Sequence, residues 1–393
     1  FPQELIEDGP LGLRFARRVA RLGIPRGFGA QPESAGETAG QRLAAALQSL
    51  GPGYIKLGQS LATRADLVGD EVATALSELQ DRLLPFPGAA ARRVVAEELT
   101  APVEALFQSF DDPPVAAASI AQVHFAVTSE GEPVAVKVLR PGVDEDFARD
   151  LVPLSWLAAK LEHYKPEFRR LRLREIVQGL SQTVAVEMDL RLEAAAASEL
   201  RENMGPDDFV VPKVDWQRTG RRVLTTERVE GIPITDRTAL VEAGHDLPDL
   251  AARLVRSFLT QAMGDGFFHA DLHQGNLFVT SEGRIAAVDF GIMGRLDRDT
   301  RRYLAEILLG FIQRDYETVA RVHFDARYVP KGKSLGLFAQ AMRSVGEPIL
   351  GRPVREISLA RLLTQLFQVT KAFDMATQPQ LLLLQKTMVV AEG

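Results

Sequence analysis

Asp271 and Asn276 stand five residues apart in the run His269-Ala270-Asp271-Leu272-His273-Gln274-Gly275-Asn276, and Asp289-Phe290-Gly291 follows downstream. A carboxylate followed at that spacing by an amide can face a phosphoryl acceptor and hold a metal, and a second carboxylate can hold that metal against the phosphates. Each pattern alone is weak. An Asp/Asn pair in a polar loop is more often a turn former, and Asp-Phe-Gly occurs by chance. Taken in order, they point to Mg2+-dependent phosphoryl transfer, with Asp271 as the catalytic aspartate and Asn276 and Asp289 as metal ligands. Leu277–Thr280 and Ile285–Val288 are apolar runs separated by the turn Ser281-Glu282-Gly283. The resulting β-hairpin brings Asn276 and Asp289 to the same end of a two-stranded ribbon.

The elements that must position these groups are readable in outline. Leu247–Met263 predicts an amphipathic helix ending near Gly264 and Gly266, which delivers the chain into the catalytic stretch. Far upstream, Ala116–Val127 reads AAASIAQVHFAV. Set on the nucleotide-loop pattern G-x-G-x-x-G-x-V, its glycine positions become Ala116, Ala118 and Ala121, with Ala117, Ser119 and Ile120 between them and Val123 in place. Methyl groups at these positions stiffen the loop and push it from the terminal phosphate, so nucleotide is handled differently. Pro133–Val138 is a strand carrying one lysine, Lys137, among small and β-branched residues, and Glu193 is the carboxylate expected to answer it. Val210–Val214 and Arg222–Val229 read as strands. Glu230-Gly231-Ile232-Pro233 reads as a hinge, placing the backbone near Glu227 and Val229 to meet an adenine.

Asp144–His163 and Leu171–Asn203 predict two long helices, the second carrying Glu187, Asp189 and Glu193. Leu43–Leu84 is helical by periodicity and contains Gly-Pro-Gly-Tyr-Ile-Lys56-Leu-Gly58-Gln59, where Pro52 suits the first turn of a new helix. Lys56 and Gln59 share a face. Gly58 costs about 1 kcal/mol of helix propensity, which points to close approach by a backbone or ligand. Taken alone, the stretch reads as a surface Lys and Gln beside a packing glycine. Arg92–Leu106 reads as a helix, and Asp297–Leu309 as another, capped by Asp297 or Asp299. Residues 301–393 are helical, with breaks at Pro330–Gly336 and Glu347–Pro353.

The chain has 393 residues, 46% hydrophobic and 25% charged, enough for two or three structural units. A net charge of −6 gives no basic field for nucleic acid. The absence of cysteine excludes disulfides, thiolate metal sites and a cysteine nucleophile. Leu11–Leu22 reads as a basic surface helix, and Gly27–Gly40 as a linker. With Phe1 at its start and the apolar run Leu381–Leu384 near its end, the sequence reads as a trimmed piece, without a signal peptide or a run long enough to span a bilayer.

From about residue 43 to 393 the chain resembles the UbiB/ADCK-type atypical kinases linked to coenzyme Q biosynthesis. The resemblance rests on Lys56-x-Gly58-Gln59, the loop AAASIAQVH, Val-Ala-Val-Lys137, Glu187-x-Asp189 followed by Glu193, the run 269–276, and Asp289-Phe290-Gly291. It implies an α+β, protein-kinase-like two-lobed fold with an N-terminal helical extension packed over the active site. The segments would be 1–100 for the extension, 101–230 for the N-lobe and 231–393 for the C-lobe. By resemblance, Lys56 and Gln59 project into the site near Glu187 and Asp189, and Lys137 pairs with Glu193 and the α/β-phosphates. The same likeness associates the alanine loop with a preference for ADP, and implies ATP/ADP and Mg2+ as cofactors. The expected partners are an isoprenoid lipid or quinone precursor, an anionic membrane surface and ubiquinone-biosynthesis proteins, and the expected location is the cytoplasmic face of the inner membrane.

Two points from the residues themselves favour a non-protein acceptor. The stretch after Asp289-Phe290-Gly291 is short and lacks Ala-Pro-Glu, so the usual peptide platform is missing. Ala270 also replaces the arginine that would read a phosphorylated loop. The reading is an Mg2+-dependent ATPase or small-molecule kinase. The alternatives are a nucleotide-switched binding module and, less favoured by these residues, a protein kinase acting in trans or an aminoglycoside-type phosphotransferase.

Overall fold

Alternation along Pro133–Leu139 builds the strand that carries Lys137. In the computed structural model, which describes residues 38–62, 68–77, 79, 85–118, 120–164, 173–205, 209–348, 368–370 and 372–375, Val134, Val136 and Val138 are buried along this strand. Lys137, at odd parity, stands on the opposite face. The chain divides into two units: Phe1–Ala194 with Val214–Arg228, and Ala195–Lys213 with Val229–Gly393. The division at Arg228 and Val229 falls just ahead of Glu230-Gly231-Ile232-Pro233.

Unit one holds an antiparallel sheet of β1 (Phe107–Phe110), β2 (Ala116–Ala117), β3 (Ala121–Thr128), β4 (Pro133–Leu139) and β5 (Val223–Glu227). The order is β1-β3-β4-β5, with β2 also on β3. Lys137 lies opposite Val123 on one side and Leu224 on the other. Among the described residues the helices are α1 (Ala39–Leu50), α2 (Pro52–Ala62), α3 (Asp70–Ser77), α4 (Gly88–Glu98), α5 (Val103–Leu106), α6 (Val143–Tyr164), α7 (Leu173–Glu187) and α8 (Leu190–Asn203), the last crossing into unit two. Ala91, Val94 and Val95 of α4 pack on Val134, Val136 and Val138. Each such valine withdrawn from water contributes about 1.5–3 kcal/mol.

Several expected elements are broken in the structure. In the described part of the helix expected over Leu43–Leu84 stand α1, α2 and α3, with a break at Gly51 (φ 119°) ahead of Pro52. Arg92–Leu106 is two helices, separated where Thr100 takes a left-handed φ of 53°. Leu171–Asn203 breaks at Met188-Asp189 because the Leu190 N–H is drawn to the Arg221 carbonyl (2.9 Å), leaving Asp189 ahead of α8. Val210–Val214 is not a strand. Only isolated bridges form, Val210 to Ala286 and Val214 to Thr226. The Leu11–Leu22 helix, the linker up to residue 37, Ser119, the Pro353 break and Leu381–Leu384 lie outside the described residues.

Unit two carries a three-stranded sheet, β6 (Ile232–Pro233), β8 (Leu277–Val279) and β9 (Ile285–Ala287), and a ribbon of β7 (Phe267–His269) with β10 (Met293–Arg295). Its helices α9 (Arg237–Glu242), α10 (Leu247–Leu259), α11 (Arg298–Ile312), α12 (Tyr316–Asp325) and α13 (Leu335–Gly346) start behind the side-chain caps Asp236, Asp246, Asp297, Asp315 and Ser334. Such a cap contributes about 1 kcal/mol, and at α11 it is Asp297, not Asp299. The helix expected to Met263 turns at Thr260 into a π-helical segment, Thr260–Asp265, closed by Gly266 at φ 73°. Tyr316, Val319, Phe338 and Met342 form a core on which Val369, Phe373 and Met375 pack. Among the described residues no helix is long and apolar enough to cross a membrane.

Candidate active site

In unit two the hairpin closes as its sequence requires. Leu277 pairs with Ala287, and the Val288 N–H donates to the Asn276 carbonyl at 2.9 Å, so Asn276 and the residue before Asp289 are bonded at one end of the ribbon. The Asp271 backbone anchors the loop between. Its N–H donates to His269 Nδ1 (3.2 Å), and its carbonyl accepts from the His273 N–H (2.8 Å) and Asn276 Nδ2 (3.3 Å). The Asp271 carboxylate takes no part in these bonds and is partly exposed. His269 is fully buried. Its N–H donates to Gln261 Oε1 (3.1 Å) on the π-helical segment, and its ring meets Phe290 edge-on. Burial, above all, holds its imidazole pKa below the usual range, so it is neutral and accepts from Asp271. Asp289 adopts φ 69°, and its Oδ1 accepts from the Gly291 N–H (3.2 Å).

Among the described residues no group of three or more Asp, Glu or His forms a preformed metal cage. Mg2+ does not need one. It takes one or two protein oxygens and completes its shell with water and phosphate. Asn276 donates through its amide NH2 to Asp271, which leaves its carbonyl oxygen as a hard donor, and Asp289 adds a carboxylate. This oxygen set fits the ion.

In unit one Lys137 Nζ lies 2.8 and 2.9 Å from the two carboxylate oxygens of Glu193, with the side chains only 17% and 8% exposed. The alanine loop folds as the β2–β3 turn, with the Ala118 N–H donating to the Ala121 carbonyl (2.8 Å) and Ala116 opposite Val123. Its described residues use no positive φ, so alanine fits without strain. Ala116 is exposed, Ala117, Ala118 and Val123 are half-buried, and Ile120 and Ala121 are buried. The Arg140 N–H donates to the Ile120 carbonyl (2.7 Å). Glu227 ends β5 exposed, and Val229 follows half-buried in the other unit.

Lys56 on α2 forms an ion pair with Glu187 at 2.8 Å, the side chains 13% and 10% exposed. Gln59 is half-buried on the same helix. Asp189 does not join this pair, because its carboxylate is taken by Arg191 Nε (2.8 Å) and Nη2 (2.6 Å). Gly58 admits neither backbone nor ligand. A Cβ there would lie 2.3 Å from Leu79 Cδ1 and 3.1 Å from Leu47 Cδ1, so its role is packing of α2 into a leucine cluster.

Sequence reasoning passed over Gln122 and His124. Both are fully buried and lie two apart on one face of β3. Polar residues at that period inside an apolar strand were the available signal. Gln122 clasps the Phe86 backbone, accepting its N–H (3.0 Å) and donating to its carbonyl (3.1 Å). It also lies 2.8 Å from His124 Nε2, whose Nδ1 is 2.7 Å from the Asp111 carbonyl. A neutral ring protonated at Nδ1 satisfies both contacts. Burial lowers the His124 pKa against the opposing pull of the Asp111 carbonyl, Asp112 and Asp111, while Arg92 adds to the lowering. The folded state therefore takes up this proton at lower pH than the unfolded chain. The stability contributed is complete above the ordinary value of 6.5 and is lost as pH falls through the folded value. Thermal melts between neutral and mildly acidic pH should show a falling midpoint, and His124→Gln should flatten that slope by up to about one proton.

A paired lysine beside a nucleotide-type loop, with an aspartate–asparagine loop and an Asp-Phe-Gly triplet, is the residue set of the kinase-like class. Residues 78–323 match the ABC1 atypical kinase-like domain, and residues 342–393 match the UbiB helical domain. The chain belongs to the UbiB-type family of ABC1 atypical kinases. It is 45% identical over 359 residues to the probable protein kinase UbiB of Marinobacter nauticus, covering 90% of this chain and 66% of that protein. The corresponding protein of Xanthomonas axonopodis pv. citri is 44% identical over 388 residues (96% and 69%), and that of Azotobacter vinelandii 43% over 399 residues (99% and 73%). The chain thus spans about two thirds of the length of these relatives. The Mycobacterium tuberculosis protein Rv3197, solved as a complex with erythromycin, shares the fold at TM-score 0.57 and 24% identity, over 90% of this chain and 97% of that one.

Proposed function

We propose that this protein is an Mg2+-dependent ATPase, or a kinase of a lipid or small molecule, that supports ubiquinone biosynthesis at an anionic membrane surface. The observation that carries the reading is the bond from the Val288 N–H to the Asn276 carbonyl, which ties the two metal-ligand segments together one residue from Asp289. Lys137, oriented by Glu193, binds the α/β-phosphates of ATP or ADP. Asn276 and Asp289 hold Mg2+, which when bound neutralises charge on the phosphates. Asp271 orients the attacking hydroxyl or water and takes its proton. Lys56, held by Glu187, and Gln59 contribute to phosphoryl transfer from the extension.

The test is Mg·ATP turnover by purified protein, with and without anionic vesicles and phenolic quinone precursors. Turnover stimulated by either additive is the expected result, and no turnover under all conditions would overturn the reading. A second reading, a nucleotide switch with incidental hydrolysis, draws on the alanine loop. Rescue of ubiquinone production by an Asp271→Asn chain would favour it.

The loop makes its own prediction. Ala118→Gly removes a methyl group and frees the backbone at the turn closed by Ala121. The ratio of ATP to ADP affinities should move toward ATP by several-fold, about 1 kcal/mol, in a nucleotide titration. Unchanged affinities for both nucleotides would reject that mechanism.

A further inference from the structure

Helix α2, which carries Lys56 and Gln59, begins without a side chain of its own to cap it. The residue ahead is Gly51, and the first helical residue is proline, which has no N–H. The Gly51 carbonyl accepts from the N–H groups of Tyr54 (3.2 Å) and Ile55 (3.1 Å). The Gly53 N–H is left as the orphan donor of the first turn. Asp150 of α6 supplies its acceptor, a carboxylate hydrogen-bonded to the Gly53 backbone. The approach is so close that a Cβ on Gly53 would lie 2.6 Å from Asp150 Oδ2 and 2.8 Å from Asp150 Cβ. Only glycine admits the carboxylate, which then sits where the helix dipole favours negative charge. Burial first, and then Asp146, push the Asp150 carboxyl above its usual range, while the Gly53 N–H and Arg149 pull it down. The Tyr54 phenol is raised by burial and by Asp150 in turn.

We propose that Asp150 is a positioning residue, a cap supplied by a neighbouring helix that fixes the start of α2 and so holds Lys56 against Glu187. The role rests on the proposed function of Lys56 in phosphoryl transfer. The two contacts act at successive turns of one helix. Asp150 seats the first turn, and Glu187 of α7 receives Lys56 one turn on, at 2.8 Å. A charged acceptor is the stronger choice for an orphan N–H. Asp150→Asn keeps the shape and an oxygen but loses the charge, and Asp150→Ala removes the cap.

The experiment combines backbone amide exchange with ATP kinetics on the full chain, using Asp144→Asn on exposed α6 surface as control. In Asp150→Ala, exchange over residues 53–58 should rise about tenfold, and in Asp150→Asn about threefold, with residues 133–139 unchanged. For Asp150→Ala, kcat should fall about tenfold with the KM for ATP within about twofold, and Asp144→Asn should match the parent in both. Unchanged exchange over 53–58 would overturn the proposal. So would an equal rise over 133–139, or a rise that leaves kcat unmoved. A parent protein without ATP turnover would instead sink the functional reading, and the exchange result would still decide whether Asp150 is the cap.

Discussion

Asp271→Asn should lower Mg·ATP turnover by about two to four orders of magnitude, the range contributed by a positioned proton acceptor, while nucleotide affinity stays within about twofold. The loop around residue 271 is held through its backbone, by His269 Nδ1, the His273 N–H and Asn276 Nδ2. An amide of the same shape leaves those bonds in place and removes only the acidic oxygen. Single-turnover kinetics beside equilibrium nucleotide titration separates the two effects. Turnover retained within about tenfold would show that Asp271 is not the proton acceptor.

The second large effect is at Lys137. Its ammonium and the Glu193 carboxylate are mostly withdrawn from water. Lys137→Met takes the cation away from that buried carboxylate, which should cost about 3–5 kcal/mol of folding stability and abolish nucleotide binding. Lys137→Met combined with Glu193→Gln removes the charge left behind, so most of the stability should return while nucleotide binding stays lost. Urea unfolding of the single and double variants measures the first quantity, and nucleotide titration the second. A double variant as unstable as Lys137→Met would mean that lost packing, not the buried charge without its cation, carries the cost.

What the sequence revealed and what it hid follow from the range of the forces involved. The hairpin of Leu277–Thr280 and Ile285–Val288 was legible because its turn and flanking apolar runs are encoded in adjacent residues. The strand read over Pro133–Val138 and its lysine were legible for the same reason, and the cap of α11 was narrowed to Asp297 or Asp299. The break at Asp189 was not, because it is made by the Arg221 carbonyl, distant in the chain, taking the Leu190 N–H. Nor was the π-helical segment Thr260–Asp265, which continues the helical pattern with a different hydrogen-bond period. Gly58 was legible as a close approach, but its neighbours Leu47 and Leu79 could not be named from local spacing. Asp150 gave no local signal at all, since an acid one turn after Asp146 on a long helix reads as a solvated face.

The ribbon of β7 and β10 joins His269 to Met293 and Phe268 to Gly294, and the Ala270 N–H donates to the Ile292 carbonyl (3.0 Å). Any Cβ at Gly294 would fall 2.1 Å from Phe268 Cζ. The Asp289 segment is therefore stitched to the acid loop on its far side, as Val288 already stitches it on the near side. Under the function proposed above, a metal-holding segment so sewn has no slack to swing out and back as an on–off lever. On that proposal, throttling falls to the arrival and departure of the reactants, not to rebuilding of the reactive residues.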